Sequence, residues 1–228
     1  MFFFFFEDHP YIAIIGDIKN SKKIEDRKKV QNKLKYVLEE VNRLYIDSIA
    51  SKFNITLGDE FQGLLHAGKN TMEIIQYIKK ELSPVTIRFG IGVGSISTDI
   101  DSEISFGADG PGYYMARKSI DNLKLLEKRN GKAMYDIEIR INGNNELQEE
   151  SLNSIFKLLC SIESEWTEKQ REIIYYLLFA RTNQTETANH FNVTQSNIQQ
   201  ILAKSHYYVY KEVLDSVNRI LSEVQYVT

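Results

Sequence analysis

Asp17 follows the apolar run Tyr11 to Ile15 and Gly16, and Asp59 lies in Gly58-Asp59-Glu60 between two further apolar runs, Phe53 to Leu57 and Phe61 to Leu65. Two carboxylates beside glycines, which let backbone approach a ligand, are hard oxygen ligands suited to Mg²⁺ or Mn²⁺ that keeps water and phosphate in its shell. A glycine-rich stretch from Ser105 to Gly112 runs into a helix with Pro111 at its start. Free backbone N–H groups at Gly110 and the positive end of that helix suit a phosphate. Arg117 and Lys118, further along the same helix, can neutralise phosphate charge. Taken singly, an Asp after a strand and a Gly-Asp turn are ordinary turn chemistry, so the chemistry depends on whether the fold brings the two aspartates together.

The elements that must do this are readable from periodicity. Tyr11 to Ile15 is short, continuous and isoleucine-rich, which predicts a buried strand. Leu34, Val37, Leu38, Val41 and Leu44 recur at helical spacing within Ile24 to Tyr45. The two runs around Gly58-Asp59-Glu60 predict a hairpin, a second helix is expected over Thr71 to Leu82, and Val85 to Val93 reads as a buried strand after Pro84. The order β-α-β-β-α-β is that of a ferredoxin-like split βαβ, in which two parallel strands flank an antiparallel one. Parallel first and second strands place Asp17 and the turn at Asp59 on one sheet edge. A further strand is expected over Ala133 to Ile141. The polar run Asn142 to Asn145 then divides the chain into residues 1–145 and a helical second part, 146–228.

Composition narrows the function classes. A chain of 228 residues with a formal charge of −3 is neither a polyanion-coating protein nor an acidic tail, so any nucleic-acid contact has to be local. A single cysteine, Cys160, fits a reducing, cytoplasmic setting. The phenylalanine run Phe2 to Phe6 lacks the basic flank and length of a signal peptide and reads as a leading strand or apolar plug, with no membrane partner.

The runs Ile14-Ile15-Gly16-Asp17-Ile18, Thr56-Leu57-Gly58-Asp59-Glu60-Phe61 and Ile87-Arg88-Phe89-Gly90-Ile91-Gly92-Val93-Gly94 resemble the palm domains of class III nucleotidyl cyclases and diguanylate cyclases. With Phe106-Gly107-Ala108-Asp109-Gly110-Pro111 and Ala116-Arg117 they are more closely similar to the bacterial SatD family, over Tyr11 to Ile141. The resemblance implies a palm with Asp17, Asp59 and the carbonyl of Ile18 as metal ligands. It implies Arg117 as the catalytic arginine that steadies the reacting phosphates, and a nucleotide held by Lys19, Asn20, Ser21, Gly58, Gly110, Arg117 and Lys118. Ile55 stands where cyclases read the purine, Tyr113 where they carry asparagine, and Leu57 at the first glycine of the diguanylate cyclase signature.

In the second part, Gln184 to Ala203 places Ala188, Phe191, Asn192, Val193, Ile198 and Ile201 in a pattern that resembles the helix-turn-helix of sigma-factor region four. A small residue at Ala188 lets two helices cross, and Asn192 tolerates the left-handed turn. Thr194 can cap the second helix. Its outward side would offer Thr194, Gln195, Ser196, Gln199, Gln200 and Lys204 to DNA, although acids outnumber bases from Ser161 onward. The stripe Val209, Val213, Val217, Ile220 and Val224 predicts core or a homodimer seam. The fold class expected is thus α/β, more narrowly α+β: a ferredoxin-like palm followed by an all-α helix-turn-helix domain. The leading reading is a regulatory protein that joins a metal-nucleotide-binding palm to a DNA-binding module. The alternatives are an active two-metal nucleotidyl cyclase or nucleotidyltransferase acting on a nucleoside triphosphate, and a DNA-binding protein with a degenerate palm.

Overall fold

The computed structural model describes residues 4–130, 135–180 and 182–225. Five strands, β1 (Tyr11–Ile18), β2 (Ile49–Leu57), β3 (Glu60–Leu65), β4 (Ile87–Gly94) and β5 (Ile137–Ile141), form one sheet in the order β2-β3-β1-β4-β5. β1 is antiparallel to both β3 and β4, so β1 and β2 run parallel on either side of β3, as the split βαβ arrangement requires. β5 joins β4 in parallel. The expected strand start at Ala133 lies outside the described residues, as do the first three residues of the chain.

Strand alternation sorts the side chains into two cores. Ile12, Ile14 and Ile18 of β1 and Phe89, Ile91 and Val93 of β4 face α1 (Arg27–Leu44) and α2 (Thr71–Leu82), whose Leu34, Val37, Leu38, Ile75 and Ile78 fill that layer. The opposite face carries Ala13, Ile15 and Leu64 under α3 (Pro111–Asn130) with Tyr113, Ala116 and Ile120. β4 turns Gly90, Gly92 and Gly94 toward α3. A Cβ at Gly92 would collide with the backbone of Gly112 and Ala116, and one at Gly90 with the carbonyl of Ala116. The glycine stripe therefore lets α3 lie directly on the sheet, and α3 runs back from the Gly94 end of β4 toward the edge that holds Asp17.

The remaining helices are α4 (Glu146–Ser164), α5 (Glu168–Ala180), α6 (Gln184–His190), α7 (Gln195–Lys204) and α8 (Tyr207–Ser222). α4 covers the edge strand: Asn153 brackets the backbone of Ile139 at 2.9 and 2.8 Å, and Glu149 accepts from the Ile141 amide at 2.8 Å. Free ladder groups of β5 are thereby satisfied. Leu152, Phe156, Ile173, Tyr210 and Leu214 continue the α1/α2 core, and the Gly68 amide donates to the Val224 carbonyl at 2.9 Å. Phe4 and Phe6 pack on this core, and Phe5 is tied to Asn145 through its amide and its carbonyl, each at 2.9 Å. The buried face of α8 is Tyr207, Tyr210, Leu214, Val217 and Leu221, so of the expected stripe Val217 and Val224 lie in the core, Val213 and Ile220 are partly buried and Val209 is exposed. No helix among the described residues is long and apolar enough to cross a membrane.

Candidate functional site

Asp17 is the last residue but one of β1 and pairs in register with Glu60 at the start of β3. Both residues face α3. Gly58, at φ 65°, and Asp59 make the turn between β2 and β3, and the Ile18 amide donates to the Asp59 carbonyl at 3.3 Å. The two aspartates therefore share one sheet edge, with Glu60 beside them. Arg88 arrives from β4 opposite Asp17, and α3 brings Arg117, Lys124 and Glu127 over the same edge.

Asp17, Glu60, Arg88, Arg117, Lys124 and Glu127 form one charged network, and Asp59 makes a separate pair. Arg88 pairs with Asp17 and also with Glu127 at 2.6 Å, while the Lys124 ammonium lies 3.0 Å from Asp17 Oδ1 and 3.9 Å from Glu60. Arg117 grips Glu60 with two hydrogen bonds of 2.7 Å, which raise the pKa of its guanidinium. Arg27, from the start of α1, approaches Asp59 at 4.0 Å. The carboxylates at this edge are thus each met by a cation.

A divalent ion at these carboxylates would have to displace the cations that hold them. The Arg88 side chain is 11% exposed and held from two sides, whereas Lys124 at 39% and Arg27 at 48% are long side chains nearer the surface. Their departure frees one oxygen of Asp17 and the carboxylate of Asp59 for a hard cation. No group of three His, Cys, Asp or Glu side chains among the described residues converges as a ready-made metal cage. An ion held here would keep most of its ligands as water or phosphate.

The other sequence-derived positions are distributed unevenly. Asn20, with left-handed φ of 53°, and the buried Ser21 follow β1 at the same edge as Asp17 and Ile18. Lys19 follows there too but lines a cavity on the α1/α2 side. Arg117 reaches the network and Lys118 is exposed on α3. Gly110 lies at the opposite end of the sheet, where its loop packs on the backbone of Ser95 to Ser97 and the Gly112 amide donates to Ser95, so the structure does not bring it to the aspartates. Reading by motif passed over Arg88, Lys124 and Glu127. Arg88 carried a usable signal, since a charge between Ile87 and Phe89 in a buried strand has to find a partner.

In the helical part, α6 and α7 form the two arms of the turn. Asn192 adopts φ 54°, the Val193 amide donates to the Ala188 carbonyl at 3.0 Å, and Thr194 Oγ1 accepts from the Asn197 amide at 3.1 Å. Ile198 and Leu202 are buried, which leaves Gln195, Ser196, Gln199, Gln200 and Lys204 exposed on the outer side of α7. Gln195 donates to Gln184, which donates to Tyr208, tying the start of α7 to α6 and α8. Cys160 is free and half-buried, and burial pushes its thiol up to about 12.

A family model described as the SatD family matches residues 11–220. No curated protein matches the chain. Among solved structures it is similar to a bacterial light-regulated adenylyl cyclase, at 13% identity and a TM-score of 0.41 over 57% of this chain and 75% of that one. It is also similar to an EAL/GGDEF domain protein from M. capsulatus, at 19% identity and a TM-score of 0.39 over 58% and 86%. A third likeness, to a regulator of polyketide synthase expression from Bifidobacterium adolescentis, has 8% identity and a TM-score of 0.28 over 94% and 86%.

Proposed function

The chain belongs to the SatD family, and on that premise we propose that it is a regulatory protein whose palm edge takes a metal-nucleotide and whose helix-turn-helix reads DNA. The observation that carries this reading is the placement of Asp17 and Asp59, each held by a cation, at one edge of the sheet. Asp17 and Asp59, with the Ile18 carbonyl, would hold Mg²⁺ or Mn²⁺. When bound, the ion screens the charge of the nucleotide's phosphates. Arg88 stays on Asp17 and Glu127 and fixes the carboxylate in place. Lys124, Arg27 and Arg117, released from their carboxylates, would then be available to phosphate oxygens, with the ion taking over the charge of Asp17 and Asp59. The exposed amides of Gln195, Gln199 and Gln200 can bond base edges, and Lys204 suits a phosphate.

Calorimetric titration with each nucleoside triphosphate, with and without Mn²⁺, tests the palm half of the reading. Binding that requires the metal, and that is lost in Asp17→Asn and Asp59→Asn while the fold is kept, supports it. Binding that is indifferent to both variants, or absent in the wild type, refutes it.

A further inference from the structure

A cavity of about 990 Å³ opens at the same sheet edge as Asp17, but on the α1/α2 side, between the palm and the C-terminal helices. Its walls come from the residue after β1, the end of α2, the approach to β5, the end of α4, α5, and His190 and Phe191 at the helix-turn-helix. A volume of this order is that of a small-molecule site.

Two groups in it lack what burial demands. Asp136, 6% exposed, sets Oδ2 on the Lys79 ammonium at 3.0 Å, but its buried Oδ1 has no hydrogen-bond partner among the described residues. Cys160 lies against Asp136 and bears on its charge as a weak thiol donor, yet no hydrogen bond meets Oδ1. Lys19, partly buried, lines the same cavity and makes no ion pair of its own among the described residues. An orphaned buried acceptor is uncommon in folded proteins and calls for an explanation.

Charge narrows the ligand. Lys79 is shared between Asp136 and Glu163, at 3.0 and 2.5 Å, and with Lys19 the inner groups balance. At the rim, Lys33, Lys80 and Arg171 stand against Glu81, Glu168 and Glu172. A lining so balanced gains nothing from an ion of either sign. Trp166, Tyr175 and Tyr176 supply flat apolar wall.

We infer that this cavity is a binding site for a small organic molecule of no net charge, which sets an N–H donor on the Asp136 carboxylate and an oxygen acceptor toward Lys19, with a flat or apolar body on the aromatic wall. Zwitterionic amino acids and nucleosides both carry this chemistry. The site is separate from Asp17 and Asp59 and does not depend on a metal there.

The test is a thermal-shift screen of the full chain against the individual proteinogenic amino acids and the common nucleosides, followed by calorimetry on whatever shifts the midpoint. One of the two classes is expected to bind, which identifies the source. Loss of a charge-assisted hydrogen bond is expected to weaken that binding by at least about tenfold in Asp136→Asn and in Lys19→Met, with Asp17→Asn binding as the wild type does. Lys19 holds no ion pair among the described residues, so Lys19→Met keeps the test decisive should Asp136→Asn fold poorly. The inference fails if no compound in either class shifts the wild type, if the hit binds Lys19→Met undiminished, or if nucleoside triphosphates bind the cavity and the net-neutral compounds do not.

Discussion

Asp136 and Lys79 are each buried, and each keeps its charge because of the other. Burial alone would push the Asp136 carboxyl up, but the attraction of Lys79 and then Lys19 outweighs it and holds the group below the usual carboxylate range. Burial likewise works against the Lys79 ammonium, and Asp136 and Glu163 override it, raising its pKa. A carboxylate held below its unfolded value of about 3.9 contributes stability that is present above that pH and is lost as the pH falls through its folded value. Asp136→Asn is therefore expected to destabilise the protein by about 3 kcal/mol at neutral pH. Urea midpoints of variant and wild type, taken at pH 7 and near pH 3, should converge in acid. A gap that stays constant would mean that packing, and not charge, holds this residue. Lone charges of this kind were partly legible: Arg88, between Ile87 and Phe89, announces a buried ion pair. Lys79 was harder to read, since it lies on α2 next to Lys80, and only the packing of α5 and α8 against that helix, with Glu163 of α4 reaching in, makes it interior.

At the scale of elements, the palm was readable because its apolar residues repeat with the period of the structure they form. Leu34, Val37, Leu38 and Val41 give α1 one buried stripe, and the hairpin around Gly58-Asp59 has the turn residues that its left-handed φ requires. The placement of α3 was not readable in the same way. Gly90, Gly92 and Gly94 alternate along one face of β4, but their spacing shows a lean strand face without saying which helix comes down on it. Gly92→Ala would force α3 off the sheet, with an expected loss of about 2 kcal/mol. It should also displace Arg117 and Lys124 from Glu60 and Asp17, so denaturant unfolding and nucleotide titration should be impaired together. Unchanged stability would show that α3 does not need the close approach. The buried face of α8 departs from its valine repeat because Tyr207 and Tyr210 bury large rings where the repeat points elsewhere. On α7 the outward polar face is a consequence of Ile198 and Leu202 turning inward. Lys204→Ala is expected to weaken binding to genomic DNA fragments and to lower the salt slope of log K by about one, whereas Gln199→Ala should weaken binding with that slope unchanged. Equal slopes in Lys204→Ala and wild type would remove the phosphate contact from the account.

For the whole molecule, the polar stretch at Asn142 to Asn145 marked the passage from sheet to helices, but nothing in it revealed how the helices return to the palm. They return through one apolar core and through Glu163, which meets Lys79, Gln76 and Tyr210 at 2.5, 3.3 and 2.5 Å. A chain ending at Asn145 would expose the α2 surface that α5 and α8 cover and would leave Lys79 without Glu163. Such a fragment is expected to aggregate or to bind a hydrophobic dye, and a soluble, dye-silent fragment of residues 1–145 would show that the helical part is not needed to complete the core. The central claim concerns the edge of the sheet, where Asp17 and Asp59 face cations that a metal-nucleotide would release. Electron paramagnetic resonance of Mn²⁺ added to the full chain with a nucleoside triphosphate reads that exchange directly, because protein-bound and free Mn²⁺ differ in line shape. The expected result is a bound signal that appears with wild type and disappears in Asp17→Asn and in Asp59→Asn, with circular dichroism unchanged. A signal equal to that of Mn²⁺-nucleotide without protein, or one that both variants retain, would contradict the account.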